Sequence, residues 1–232
     1  QTRSGFAWGP WFKRVLPLTG GTGATLFLMN ADVIFVQIHF ADLARFYSAV
    51  AVVGVGLVTF TTPMAAVMFP KLVRSAAQEQ RSNALILALG GTLVMGILGA
   101  TLCGVFPWLP IRVMYFNKPE LWVSAQLVPW FMWAMLPVTV ANVLISNLLA
   151  KHRFKVVVPL VLLAIGYGLT LNSYLNHSAG LEHFTAFKGV ILRLGIFSSL
   201  LLAVAAVFTF SERATNPAKD ASDISRNSQN VA

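Results

Sequence analysis

Between Leu121 and Ala150 the chain contains no Asp, Glu, Lys or Arg, and that run decides what the chain can fold into. A helix needs about 20 apolar residues to cross the hydrocarbon of a bilayer, and apolar runs in soluble core helices are shorter. Comparable stretches recur along the chain: 56% of its residues are hydrophobic and only 11% are charged. In hydrocarbon every backbone N–H and C=O must be satisfied within the segment, which makes these runs helices. The chain is therefore expected to be an all-α integral membrane protein.

Six spans are predicted, at about residues 15–40, 46–69, 84–108, 122–148, 156–175 and 188–210. Residues 1–14 mix Arg3, Lys13 and Arg14 with Trp8 and Trp11, the composition of an interfacial lead-in. Residues 211–232 are rich in Ser, Asn, Asp and Ala and are expected to be a disordered cytoplasmic tail. The chain begins at Gln1, and no charged region with a cleavage site precedes the first span, so it is read as a piece of a longer protein. Pro17 with Gly20, Gly21 and Gly23 predicts a break or a close helix contact early in the first span. Pro63, Pro129 and Pro137 mark kinks, and the Gly- and Ala-rich third span reads as an interior or tightly packed helix.

The net charge of +9 does not point to nucleic acid, because the basic residues stand singly between apolar spans and form no continuous face. They set topology instead. Arg3, Lys13, Arg14, Lys71, Arg74, Arg81, Lys151, Arg153, Lys155, Arg213, Lys219 and Arg226 fall on one side, 12 of the 17 Lys and Arg residues. Arg45, Arg112, Lys118, Lys188 and Arg193 fall on the other. The positive-inside rule places both ends of the chain in the cytoplasm. Cys103 is the only cysteine and reads as packing; His177 and His183 lack the partners of a metal site. No cofactor and no metal are expected.

Residues 28–40, LMNADVIFVQIHF, carry the chemistry: Asn30, Asp32, Gln37 and His39 interrupt an otherwise apolar span. A carboxylate at such a depth costs about 2.5–3.5 kcal/mol on insertion scales, so the fold or the function must compensate it. At the helical period Thr25, Asp32 and His39 share one face, and Gly23, Asn30 and Gln37 share another. Both polar stripes are expected to look into protein or a wet cavity rather than lipid. Two roles stand open for Asp32: a proton or cation site, or a structural polar contact between helices. His39 is an interfacial residue or a sharer of that proton site. Arg193, inside the first turns of the last span, is a partner for Asp32, a phosphate ligand or a snorkelling interfacial side chain. Thr139, Asn142 and Ser146 form a further polar stripe, suited to glueing helices or lining a pathway.

Three stretches resemble the polysaccharide flippases of the multidrug/oligosaccharidyl-lipid/polysaccharide exporter superfamily, the Wzx-like O-antigen and exopolysaccharide translocases. Residues 28–45 resemble that family's seventh helix, TTPMAAVMFPKL at 61–72 the end of its eighth, and NVLISNLLAKHRFK at 142–155 its tenth helix with the basic turn. The resemblance implies the second six-helix lobe of a twelve-helix, V-shaped transporter in a bacterial inner membrane, with the N-terminal lobe missing here. It implies a lipid-linked oligosaccharide and membrane lipids as partners, and translocation of a polyprenyl-pyrophosphate-linked oligosaccharide as the activity, without enzyme chemistry. The substrate pathway or ion coupling would then involve Asp32, Asn30, Gln37, His39, Asn142 and Arg193. Multidrug and lipid II exporters of the same superfamily are the alternatives. A membrane-embedded polysaccharide polymerase or acyltransferase is a rival of another class. It needs clustered catalytic groups or a large outward loop, and the connections here are short.

Overall fold

In a computed structural model the backbone is described for residues 8–77, 84–151, 153–178 and 182–215, and side chains for 15–60, 85–151, 153–178 and 182–211. Over these residues the chain is all-helical. The helices are α1 (Trp8–His39), α2 (Ala44–Ala77), α3 (Ala84–Val105), α4 (Trp108–Met114), α5 (Val128–Ala150), α6 (Val157–His177) and α7 (His183–Thr215), with 3₁₀ segments at Pro119–Leu127 and Phe154–Val156. Five segments are long and apolar enough to cross a membrane: Val15–His39, Leu85–Val105, Pro119–Ala150, Phe154–His177 and His183–Ser211. That pattern fits a multi-pass membrane protein. The side-chain-described part of α2, Ala44–Phe60, is apolar but shorter. The side chains of the lead-in, those of 61–72 with Pro63, and the tail beyond Thr215 lie outside the described residues.

Helix α5 is the centre of the bundle, in contact with α7, α3, α2 and α1. Apart from Thr139, Asn142, Ser146 and Asn147 it is apolar, and packing among several helices buries most of that surface. Phe131, Met135, Val138, Ala141, Leu144 and Leu148 are all buried along it. Lipid tails are as apolar as these side chains, so association must come from close packing and interhelical hydrogen bonds. The chain uses both. Gly54 of α2 admits the Phe131 ring, and Ser198 of α7 donates to the Ala134 carbonyl of α5 at 2.8 Å, with Gly195 O at 2.9 Å as the alternative acceptor.

Helix α1 lies against α6 and runs through Pro17 unbroken. Gly20 and Gly21 face Val157 and Leu149, so the glycines make a close contact and not a break. Helix α3 is tightly packed but not interior. Its Ala88, Gly96, Gly99 and Ala100 face the protein, while Leu87, Val94, Leu98 and Leu102 are exposed. Short side chains on one face let it approach α2 and α5, and the large ones on the other are placed for lipid.

Two ends of the bundle are defined by contacts. At one end Phe40, just after α1, packs edge-on against His183 and Phe187 at the start of α7, with ring centroids 6.0 and 5.9 Å away. The same end carries α4, where the Arg112 guanidinium sits 5.3 Å from the Trp108 ring and 4.6 Å from that of Trp122. Guanidinium and indole together suit a headgroup interface. The opposite end carries the turn between α5 and α6.

Candidate functional site

Asp32 is fully buried, at 0% exposure, where α1 meets α2. Its Oδ2 accepts a hydrogen bond of 2.7 Å from the hydroxyl of Tyr47. Tyr47, also at 0% exposure, is held by ring contacts with Phe131 and Phe187 at 5.8 and 5.4 Å, which fix the hydroxyl on the carboxyl. Oδ1 of Asp32 has no hydrogen-bond partner among the described residues. The same is true of the buried Oη of Tyr167 on α6, which lies within electrostatic reach of Asp32.

One oxygen of the carboxyl and the Tyr167 hydroxyl thus stand in the protein interior without partners among the described residues. Burying such groups without partners costs several kcal/mol in an apolar medium, by order of magnitude. Among the described residues no Lys, Arg or His is bonded to Asp32, and the one ion pair is Arg45 with Glu120 at the surface, 3.5 Å apart. The described residues therefore supply the carboxyl with no bonded counter-charge. A proton or a small cation would compensate it.

The other sequence-predicted residues do not join this cluster. His39 is half-buried; its Nδ1 donates to the Phe35 carbonyl at 2.9 Å and its Nε2 faces Oδ1 of Asn176 on α6 at 3.1 Å. The ring is thereby engaged away from Asp32. Arg193 does not pair with Asp32 either: its guanidinium lies 3.5 Å from the centroid of the Tyr174 ring and donates to the Gly189 carbonyl at 2.9 Å. Asn30 is exposed, with its amide donating back to Leu26 O at 2.8 Å, and Gln37 and Gly23 are exposed beside it. Asn142 is half-buried on the α5 face whose Phe131 and Met135 meet Gly54 of α2 and whose Leu149 meets Gly21 of α1. Thr139 satisfies its own hydroxyl on Met135 O at 2.9 Å, while Ser146 is exposed.

The two stripes of α1 thus part company. Thr25 and Asp32 are buried against the bundle, and Gly23, Asn30 and Gln37 point away from it. Tyr47 and Tyr167 are the residues sequence reasoning missed. A partial signal for Tyr47 exists: the connection between α1 and α2 is short, so the first turns of α2 lie beside the last turns of α1, which carry Asp32. For Tyr167, far along the chain on α6, there is none.

Among the described residues no three His, Cys, Asp or Glu side chains are grouped to hold a metal ion. A monovalent cation at Asp32 would have the carboxyl, whose Oδ1 has no partner among the described residues, as its oxygen donor. Compared with protein families, curated proteins and solved structures, the chain finds no match.

Proposed function

We propose that this chain is a six-helix lobe of a membrane translocator that moves a polyprenyl-pyrophosphate-linked oligosaccharide across a bacterial inner membrane, with binding of a proton or small cation at Asp32 biasing the conformational change. The observation that carries the coupling role is a fully buried carboxyl that has, among the described residues, one oxygen unbonded and no bonded counter-charge. A purely structural polar contact would be expected to satisfy both oxygens.

The choice of cargo rests on the resemblance to polysaccharide flippases, and the exposed face of α1 supports it. Asn30 and Gln37 are placed outside the bundle, on a helix that otherwise exposes Leu16, Leu26, Phe27, Ile34 and Ile38. Polar side chains in that setting fit a hydrated surface shared with a second lobe better than lipid. Moving a bulky anionic head through hydrocarbon requires such a surface, while the polyprenyl tail stays in the bilayer. Rocking of one lobe against the other then gives alternating access.

Replacing Asp32 by Ala in the full-length protein is expected to lower surface polysaccharide and to leave membrane insertion unchanged. Unaltered export at matched protein levels would remove Asp32 from the mechanism. A membrane-embedded enzyme of polysaccharide assembly would instead alter polymer chemistry in such a variant, which analysis of chain length and linkage would detect.

A further inference from the structure

A second polar cluster lies apart from Asp32, on the outer surface between α6 and α7. A groove of about 480 Å³ is lined there by Leu169, Thr170, Ser173, Tyr174, His177 and Arg193. Arg193 dominates it. The Tyr174 ring under the guanidinium and the Gly189 carbonyl bound to one nitrogen fix the plane of the fork. Its remaining N–H groups have no protein acceptor among the described residues, and no carboxylate pairs with it there. Beside it, Ser173 is exposed, and the Nδ1 of His177 donates to the Ser173 carbonyl at 2.7 Å, which orients the imidazole.

Depth in the membrane identifies the ligand. The apolar segment His183–Ser211 has 29 residues, more than the about 20 that hydrocarbon requires, so its first turns stand at headgroup level. Arg193 starts deeper, but helical side chains lean toward the helix N-terminus, and its bond to Gly189 brings the guanidinium one turn back toward that level. Below the polar groups the same faces continue as exposed Leu162 and Leu169 on α6 and half-buried Phe197 on α7, which meets Gly166 and the Tyr167 ring of α6. A cationic fork near the boundary between headgroups and hydrocarbon, above an apolar surface, is complementary to a phosphate ester above an acyl chain.

We propose that this groove is a binding site for the phosphate of a membrane phospholipid, with Arg193 as its principal ligand, Ser173 as a second donor and the lower faces of α6 and α7 receiving an acyl chain. The site does not depend on what the protein transports.

Native mass spectrometry of the detergent-purified chain tests it, with phosphatidylglycerol as probe and diacylglycerol of the same acyl composition as the phosphate-free control. Wild type is expected to retain phosphatidylglycerol and not diacylglycerol, Arg193→Met to weaken retention about tenfold or more, and Ser173→Ala by a smaller factor. Equal retention of both lipids by the wild type would overturn the proposal without recourse to any variant. So would undiminished phosphatidylglycerol binding in Arg193→Met and Ser173→Ala. Polyprenyl diphosphate is the third probe. If it alone shows the dependence on Arg193, the groove serves a transported lipid and not the bulk bilayer, and the assignment fails.

Discussion

Replacing Tyr47 by Phe removes one oxygen atom from the centre of the bundle and leaves the ring where it is. The ring keeps its contacts with Phe131 and Phe187, so packing is preserved and the hydrogen bond alone is lost. That bond, 2.7 Å long, is the one that Asp32 accepts through Oδ2. Side-chain hydrogen bonds between membrane helices average about 0.6 kcal/mol and reach about 1.7. The bond is short and fully buried, so the substitution should cost about 1–2 kcal/mol. Tyr167→Phe is the matched control. Its hydroxyl is buried and has no partner among the described residues, so removing it relieves a desolvated group and should be neutral or stabilising. Equilibrium unfolding in mixed micelles of mild detergent and SDS, followed by helical circular dichroism, measures both. Equal effects of the two substitutions, or a Tyr47→Phe variant as stable as wild type, would refute the description of Asp32 as a carboxyl held by the Tyr47 hydroxyl.

Packing, interhelical bonding and the surface ion pair yield four more expectations, checked by the same unfolding measurement. At Gly54 an added Cβ would run into the Phe131 ring, so Gly54→Ala should cost about 1–3 kcal/mol through overpacking. Gly56→Ala, where nothing lies within 4 Å, should be neutral or stabilising. Ser198→Ala loses the bond to Ala134 between α5 and α7 and should cost about 0.6 kcal/mol. Glu120→Gln breaks an ion pair whose side chains are 59% and 56% exposed, and should change stability by less than about 0.5 kcal/mol, with the difference vanishing in high salt.

Helix type and membrane character were legible because an uncharged run such as Leu121–Ala150 admits no other structure in hydrocarbon. Asp32 stood out for the related reason that a carboxyl in such a run needs compensation. Periodicity was less decisive. The Thr25–Asp32–His39 and Gly23–Asn30–Gln37 stripes have equal spacing, and nothing in spacing says which faces the bundle. The answer came from α6, which packs along α1 through the small residues Gly20 and Gly168. Arg193 shows the same limit. Its position in the chain left room for Asp32 as a partner, but Tyr174 offers an aromatic face next to the backbone acceptor of Gly189, and that nearer combination took the guanidinium. Tyr167 was invisible because its proximity to Asp32 exists only once α6 is docked.

Transbilayer movement of a polyprenyl-diphosphate oligosaccharide, in vesicles holding the full-length protein, tests the proposed function most directly. Accessibility of the sugar to a membrane-impermeant lectin reports each crossing. Protein-dependent crossing is expected for wild type, with loss in Asp32→Asn at equal reconstitution. Crossing no faster than in protein-free vesicles, or unchanged by Asp32→Asn, would contradict a lobe that couples translocation to that buried carboxyl.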